Sequence, residues 1–399
     1  MPTEPGRRRL AWRLAAGVLL ALLAWLLTPR ANDVKPAPSA PSAAPAGLQL
    51  FGALPLAEAP PADKRSQLLE QVRRFDHTYC SYLQNTRYPH ESRPASHSPD
   101  QMQPNLPVLE SHPMRLDGGG SNTEVTLQTA QSRVYLAAGE SVSFSLRAQD
   151  SRGHGAPLLV TRALAQGLTY DARRSTPRMT LDFLADGAGA WHAGLTPAHG
   201  ALAQFHGTIR TTVGYRAGGK DGVVLFDVLV SPVLPARWSG KAAEVEANGS
   251  LDYVLGLDVD QPGRYVVTGR IDDARGQPFA LASFNDVLGA GAQQVRLPVF
   301  GKLLHDGAPQ LPLVLRDVEG YLLREDADPD RLLLPRLEGR VASGQVRSLD
   351  GIANTEWQSE ERSRYLAEYA KDLRQARTRL QQLDPAQALP ASACAPPGR

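Results

Sequence analysis

The chain is poor in the residues that most often announce a chemistry. Among 399 residues there are two cysteines, four methionines and only 6% aromatics. Sparse aromatics argue against a broad glycan-stacking platform, which needs exposed rings. An excess of either charge is missing too, with Lys and Arg at 43, Asp and Glu at 41, and a net charge of +2. A near-neutral chain has no general attraction for nucleic acid, so no nucleic-acid partner is expected. No Gly-x-Ser-x-Gly elbow, His-Glu-x-x-His helix or phosphate-binding loop occurs. No catalytic, cofactor or metal residues are therefore assigned. An enzyme assembled from residues distant in sequence stays open.

Long apolar runs are absent with one exception. Residues 14–27 follow Arg7, Arg8, Arg9 and Arg13. Positive charge before such a run keeps the N-terminus in the cytoplasm and sends the rest across. The run is short for a span of about 20 residues, but counting from Leu10 with Arg13 snorkelling lengthens it. A single-pass signal anchor in a bacterial inner membrane, with the body in the periplasm, is the preferred reading. The alternative is a cleaved signal peptide and a secreted body. Pro29-Arg30-Ala31 is a poor cleavage site, and no cysteine follows the run to take a lipid. Residues 31–62 then form a Pro/Ala-rich tether, expected to be extended.

What is abundant is turn chemistry, with 35 glycines and 32 prolines, which favours many short strands. Asp63 can cap a helix to about Gln84, because Leu68, Val72, Phe75, Tyr79 and Tyr82 recur at helical spacing. The rest of segment 63–116, with His90, His97 and His112 among Pro and Ser, reads as irregular, a long loop or a segment draped over a domain. From Asp117 the period becomes two, as in Val142, Phe144, Leu146 and Ala148. Strands are expected at 179–184, 208–215 and 223–230, the last two flanking a hairpin loop at 217–222. Prolines 232 and 235 end a first β-sandwich, 117–235, and a second follows over 236–346. In the second, alternation is expected over 253–259, 265–271, 295–299 and 311–315, with 300–307 joining two strands. Asp150-Ser-Arg-Gly153 and Asp273-Ala-Arg-Gly276 close similar strands, which suggests an internal repeat. The fold class expected is mainly β: two tandem immunoglobulin-like β-sandwiches, an N-terminal membrane helix, and flanking N- and C-terminal α-helices. The Cys–Trp–Cys core of antibody domains is absent.

The run Gln131-Ser-Arg-Val-Tyr-Leu-Ala-Ala-Gly-Glu-Ser-Val-Ser-Phe-Ser-Leu146 resembles an uncharacterised family of bacterial secreted proteins with tandem immunoglobulin-like domains. So do Gly263-Arg-Tyr-Val-Val-Thr-Gly269, Val299-Phe-Gly-Lys-Leu-Leu-His-Asp-Gly307 and Leu313-Val-Leu-Arg-Asp-Val318. The resemblance covers about 116–323 and implies a fold. It implies no activity and no functional residues.

The tail reads as a helix over 357–383 within segment 347–384, opened by a Thr355/Gln358 capping box. Leu366, Tyr369, Leu373, Ala376, Leu380 and Leu383 form a seam for another helix, in the same chain or in a second copy. Residues 385–399 read as a disordered tail. Cys80 and Cys394 are the disulfide candidates, since an even count outside the cytoplasm favours pairing. A buried Cys80 beside a free Cys394, or an intermolecular bridge, are the alternatives.

Other candidates yield to plainer readings. Asp326-Ala-Asp-Pro-Asp330 has calcium-loop spacing, but Arg331 and Leu337 stand where Gly and Glu are needed. His192, His199 and His206 fall where no regular element gathers them on one zinc. Asp272-Asp273 reads as a turn. Two function classes follow. One is a non-catalytic binding or scaffolding protein that meets an envelope protein or cell-wall component. The other is an envelope hydrolase or its accessory subunit, which a cleft lined by two carboxylates would favour.

Overall fold

The computed structural model describes residues 64–104, 106–169, 175–386 and 388–394. The membrane segment, the tether and the Asp63 cap lie outside the described residues. Among the described residues no helix is long and apolar enough to cross a membrane.

The body is mainly β, in several sheets that are antiparallel except for one short parallel pairing. Numbered in chain order, its first strands are β1 (Ser92–Pro94), β2 (Val108–Arg115), β3 (Ser121–Gln131), β4 (Tyr135–Leu136), β5 (Val142–Asp150) and β6 (Gly155–Ala156). There follow β7 (Leu158–Gly167), β8 (Arg178–Thr180), β9 (Leu184–Ala185), β10 (Ala190–Leu195), β11 (Gly207–Ala217) and β12 (Lys220–Val230). One sheet runs β2-β3-β5-β10-β9 with β6 on β5, and a second runs β4-β12-β11-β7-β8. Alternation sends Leu127, Phe144 and Leu146 of the first and Ile209, Val213 and Phe226 of the second into one shared core. Phe144 and Phe226 meet across it at 4.7 Å. The β11–β12 hairpin is tighter than expected. Gly218 and Gly219 alone make the turn, at φ +55° and +74°, the left-handed pair that a two-residue hairpin requires.

The second unit comprises β13 (Ala236–Ala247), β14 (Ser250–Val259), β15 (Gly263–Asp272), β16 (Pro278–Leu288), β17 (Gly291–Val299), β18 (Val314–Leu323), β19 (Arg331–Leu333) and β20 (Leu337–Ser343). Its sheets run β1-β16-β15-β18-β19, with β20 on β18, and β13-β14-β17. Tyr253, Leu255 and Leu297 meet Tyr265, Val267 and Leu315 in its core. The repeated turn is the same object in both units. Asp150 Oδ1 accepts from the N–H groups of Arg152 and His154 at 2.8 and 2.9 Å. Asp273 Oδ1 accepts from Arg275 and Gln277 at 2.9 and 3.0 Å.

Segment 63–116 beyond its helix is draped over the body and carries two strands among its turns. β1 pairs with β16 of the second unit and β2 with β3 of the first, so this stretch laces both units. Residues 300–307 join β17 to β18 as expected, through helix α2 (Gly301–Gly307), but the strand expected from Leu311 begins at Val314, past Pro312, which has no N–H to give a ladder. The C-terminal helix starts later than the Thr355/Gln358 box predicts. It is Glu360–Leu383, and Ser359 caps it by accepting from Arg362 N at 3.0 Å. Trp357 N donates to Arg87 O at 3.0 Å, which holds the residues before Ser359 out of the helix.

The first helix, α1 (Lys64–Asn85), and this last one, α3, pack antiparallel as an arm. Val72, Leu373, Ala376 and Leu380 are buried between them, flanked by Leu68, Phe75 and Tyr79. Leu383, at the helix end, stays 44% exposed.

Candidate functional site at the junction of the two β units

The junction is built from the linker outwards. Ser231, where β12 ends, donates its N–H to Leu136 O at 2.9 Å, and its hydroxyl accepts from Leu333 N of β19 at 3.2 Å. Pro235 O accepts from Asp260 N and Gln261 N at 3.0 Å each and from the Tyr265 hydroxyl at 3.1 Å. The prolines cannot donate, so the linker is held through its carbonyls and through Ser231. Arg133 then bridges the units, paired with Glu140 at 3.0 Å on its own side and with Glu338 on the other. Its side chain is only 23% exposed, so this pair is less screened than a free surface pair.

A cleft of about 130 Å³ opens beside this bridge, lined by Tyr135, Glu140, Thr268, Glu319, Arg331 and Arg336. It holds two carboxylates, the feature a hydrolase would need. Both are engaged. Glu140 accepts from Ala137 N at 2.9 Å and faces Arg133, while Glu319 lies 3.6 Å from Arg336. Loss of water pushes the Glu319 carboxyl up, opposed by Arg336. The cleft is also small beside the roughly 300–1,000 Å³ of ligand pockets.

The larger opening is a groove of about 880 Å³, lined by Leu168, Pro177, Phe205 and His206 from the first unit and Arg324 and Asp328 from the second. Arg324 Nη1 lies 3.5 Å from His206 Nδ1. Burial, then the Arg324 charge, pulls the His206 pKa below its ordinary value, against backbone hydrogen bonding to Arg331 and the charge of Asp328. The groove thus offers apolar walls with a guanidinium and a neutral imidazole at one place, a surface suited to binding.

The remaining candidates separate. His192 pairs with Asp186 at 3.2 Å and His199 is exposed in a turn, so neither joins His206. Asp330 is held by its neighbour Arg331 at 2.8 Å, and Asp328 lines the groove. No group of three His, Cys, Asp or Glu that could hold a metal occurs among the described residues. Asp273 makes its turn, but Asp272 does something the sequence reading missed. It is buried, 2.9 Å from Arg270 and 3.5 Å from Arg316. Arg270 also reaches Asp317 at 3.2 Å and donates to Met102 O. This cluster fastens the lacing segment to the face of the sheet. Its only signal in the sequence is charge at Arg270 and Asp272, alternating with Gly269 and Ile271 on the core face. Cys80 and Cys394 are bonded, with Cα atoms 5.1 Å apart. The arm places them there. Asp76, one turn before Cys80, accepts from Arg377 and Ser392 at 2.8 Å each and from Ala393 N at 2.5 Å.

No protein-family model matches the chain, and no curated protein matches it. Similar solved structures include a DUF4785 family protein from Legionella pneumophila, 12% identical with a TM-score of 0.36, over 55% of this chain and 56% of that one. Another is the Yersinia pseudotuberculosis adhesin InvE, 11% identical with a TM-score of 0.17, over 59% of this chain and 60% of that one. A third is the Escherichia coli adhesin FdeC, 13% identical with a TM-score of 0.18, over 49% of this chain and 85% of that one. The chain spans less than two thirds of the first two. Superpositions this slight carry no argument about function, so the reading rests on the chain's own residues.

Proposed function

We propose that this chain is a non-catalytic binding or scaffolding protein of the bacterial envelope, anchored in the inner membrane by residues 14–27 with its body in the periplasm. The observation that carries the reading is the junction. Arg133, Ser231 and Pro235 fix two β units against each other, and the opening they leave is a mixed groove rather than a pair of free acids. We read the two units as tandem immunoglobulin-like sandwiches, supported by their two-sheet cores and their shared Asp-x-Arg-Gly turn. The Cys80–Cys394 bridge fits an oxidising compartment. The partner is an envelope protein or cell-wall component that meets the groove, and α3 offers Tyr365 for self-association. The hydrolase alternative gains nothing from a cleft whose carboxylates are already engaged.

Two experiments test this. A reporter enzyme that is active only outside the cytoplasm, fused after Arg399, is expected to work; activity only from a cytoplasmic reporter overturns the topology. In cross-linked envelopes, Phe205→Ala with Arg324→Glu is expected to remove products that the native chain forms. An unchanged pattern overturns the groove as the binding face.

A further inference from the structure

The arm carries a charge imbalance that its own fold does not absorb. Its helices run antiparallel, with Arg65 against Asp384, Asp76 against Arg377 and Tyr82 against Tyr369. The end that begins at Lys64 therefore combines the first half of α1 with the second half of α3. Arg65 and Arg377 are neutralised there by Asp384 and Asp76. Lys64, Arg73, Arg74, Arg374 and Arg379 are all exposed, and no ion pair forms to any of them among the described residues. Only Glu70 and Asp372 remain on these segments to offset five cations. The first half of α3 shows the ordinary pattern by contrast, with Arg364 on Glu360 and Lys371 on Glu368.

We propose that this end of the arm seats on an anionic phospholipid surface. Guanidinium groups match phosphate oxygens in geometry as well as charge. Each Lys or Arg held near an anionic leaflet strengthens attachment about fivefold. Position favours the same occupant, and here the inference rests on the membrane-anchor reading. Lys64 stands 37 residues after Leu27, so this end of the arm is the part of the body that the chain joins directly to the proposed anchor. A linker of that length holds the seat at an effective concentration on the order of millimolar.

The test uses the full chain in vesicles of phosphatidylglycerol with phosphatidylcholine and in vesicles of phosphatidylcholine alone. The readouts are retention of the chain and hydrogen exchange in α1 and α3. On anionic vesicles, exchange at the Lys64 end of the arm is expected to slow at least about tenfold relative to neutral vesicles. The difference should vanish at 1 M salt, where the Debye length is about 3 Å. It should also vanish in Arg73→Gln/Arg74→Gln/Arg374→Gln/Arg379→Gln, while retention stays unchanged. Equal exchange on both vesicles, or protection that survives the substitutions, overturns the lipid seat. Loss of retention on neutral vesicles overturns the anchor reading instead, and salt-sensitive co-sedimentation with anionic vesicles then decides the seat by itself. The substituted chain is checked for folding by its β-sheet melting. If it is misfolded, Arg379→Gln alone, expected to give a partial loss, replaces it.

Discussion

His206 shows how one side chain can report on the junction. Its pKa lies below the ordinary 6.5, first because it is buried and then because Arg324 is near. The unfolded chain therefore binds more protons than the folded one between the folded pKa and about 6.5. Stability rises with pH in that window and falls on acidification from neutrality through it. Denaturant unfolding at pH 7.5 and 5.5 is expected to show this loss, and His206→Gln is expected to shrink it. A variant with the same pH slope as the native chain would assign the slope to other groups. Gly301 gives a second test, of sterics rather than charge. A Cβ there would lie 2.2 Å from Gly249 O and 2.4 Å from Ala353 O, both backbone atoms that cannot rotate away. Gly301→Ala is expected to cost at least about 1–3 kcal/mol, read as a lower denaturant midpoint. No shift at all would mean that the loops on either side yield freely.

At the scale of elements, the cap of α3 separates two readings of the same sequence. Ser359 accepts from Arg362 N, so Ser359→Ala is expected to destabilise the arm by about 1 kcal/mol, and Thr355→Ala to do almost nothing. The reverse ranking in thermal melts would restore the earlier start. The helical stripes and the long strands were legible because their periods repeat over many residues, as from Val142 to Ala148 or from Leu373 to Leu380. β1 and β2 were not. β1 has three residues, too few to show a period. β2 leaves Val108 and Leu109 exposed at the edge of its sheet, so no face of it reads as apolar. The junction was legible only as a pair of prolines. Arg133 and Glu338 are far apart in sequence, and nothing in either neighbourhood names the other. The Arg270–Asp272–Arg316 cluster was hidden for a related reason: a charged face opposite a core face reads as solvated until another segment covers it.

The whole molecule is unevenly supported, and this fixes where it should open first. Each β core contains more than twenty buried apolar side chains, whereas the arm buries Val72, Leu373, Ala376 and Leu380. A two-helix unit with so thin a core is marginal in water. The arm is held by other means: the Asp76 contacts to Arg377, Ser392 and Ala393, and the Cys80–Cys394 bridge, which spans 314 residues of sequence. Reducing a bridge of this kind typically removes about 2–5 kcal/mol. Here the loss should fall on the arm, because the helices contribute nothing to either β core. Mass spectrometry of unreduced protein is expected to find no alkylatable thiol, and finding two would rule the bridge out. Hydrogen exchange of the oxidised protein and of Cys80→Ser/Cys394→Ser is then expected to differ in α1 and α3 and to agree in β14 and β15. Faster exchange throughout β14 and β15 as well would show that arm and body unfold as one cooperative unit, and the arm would no longer count as separately stabilised.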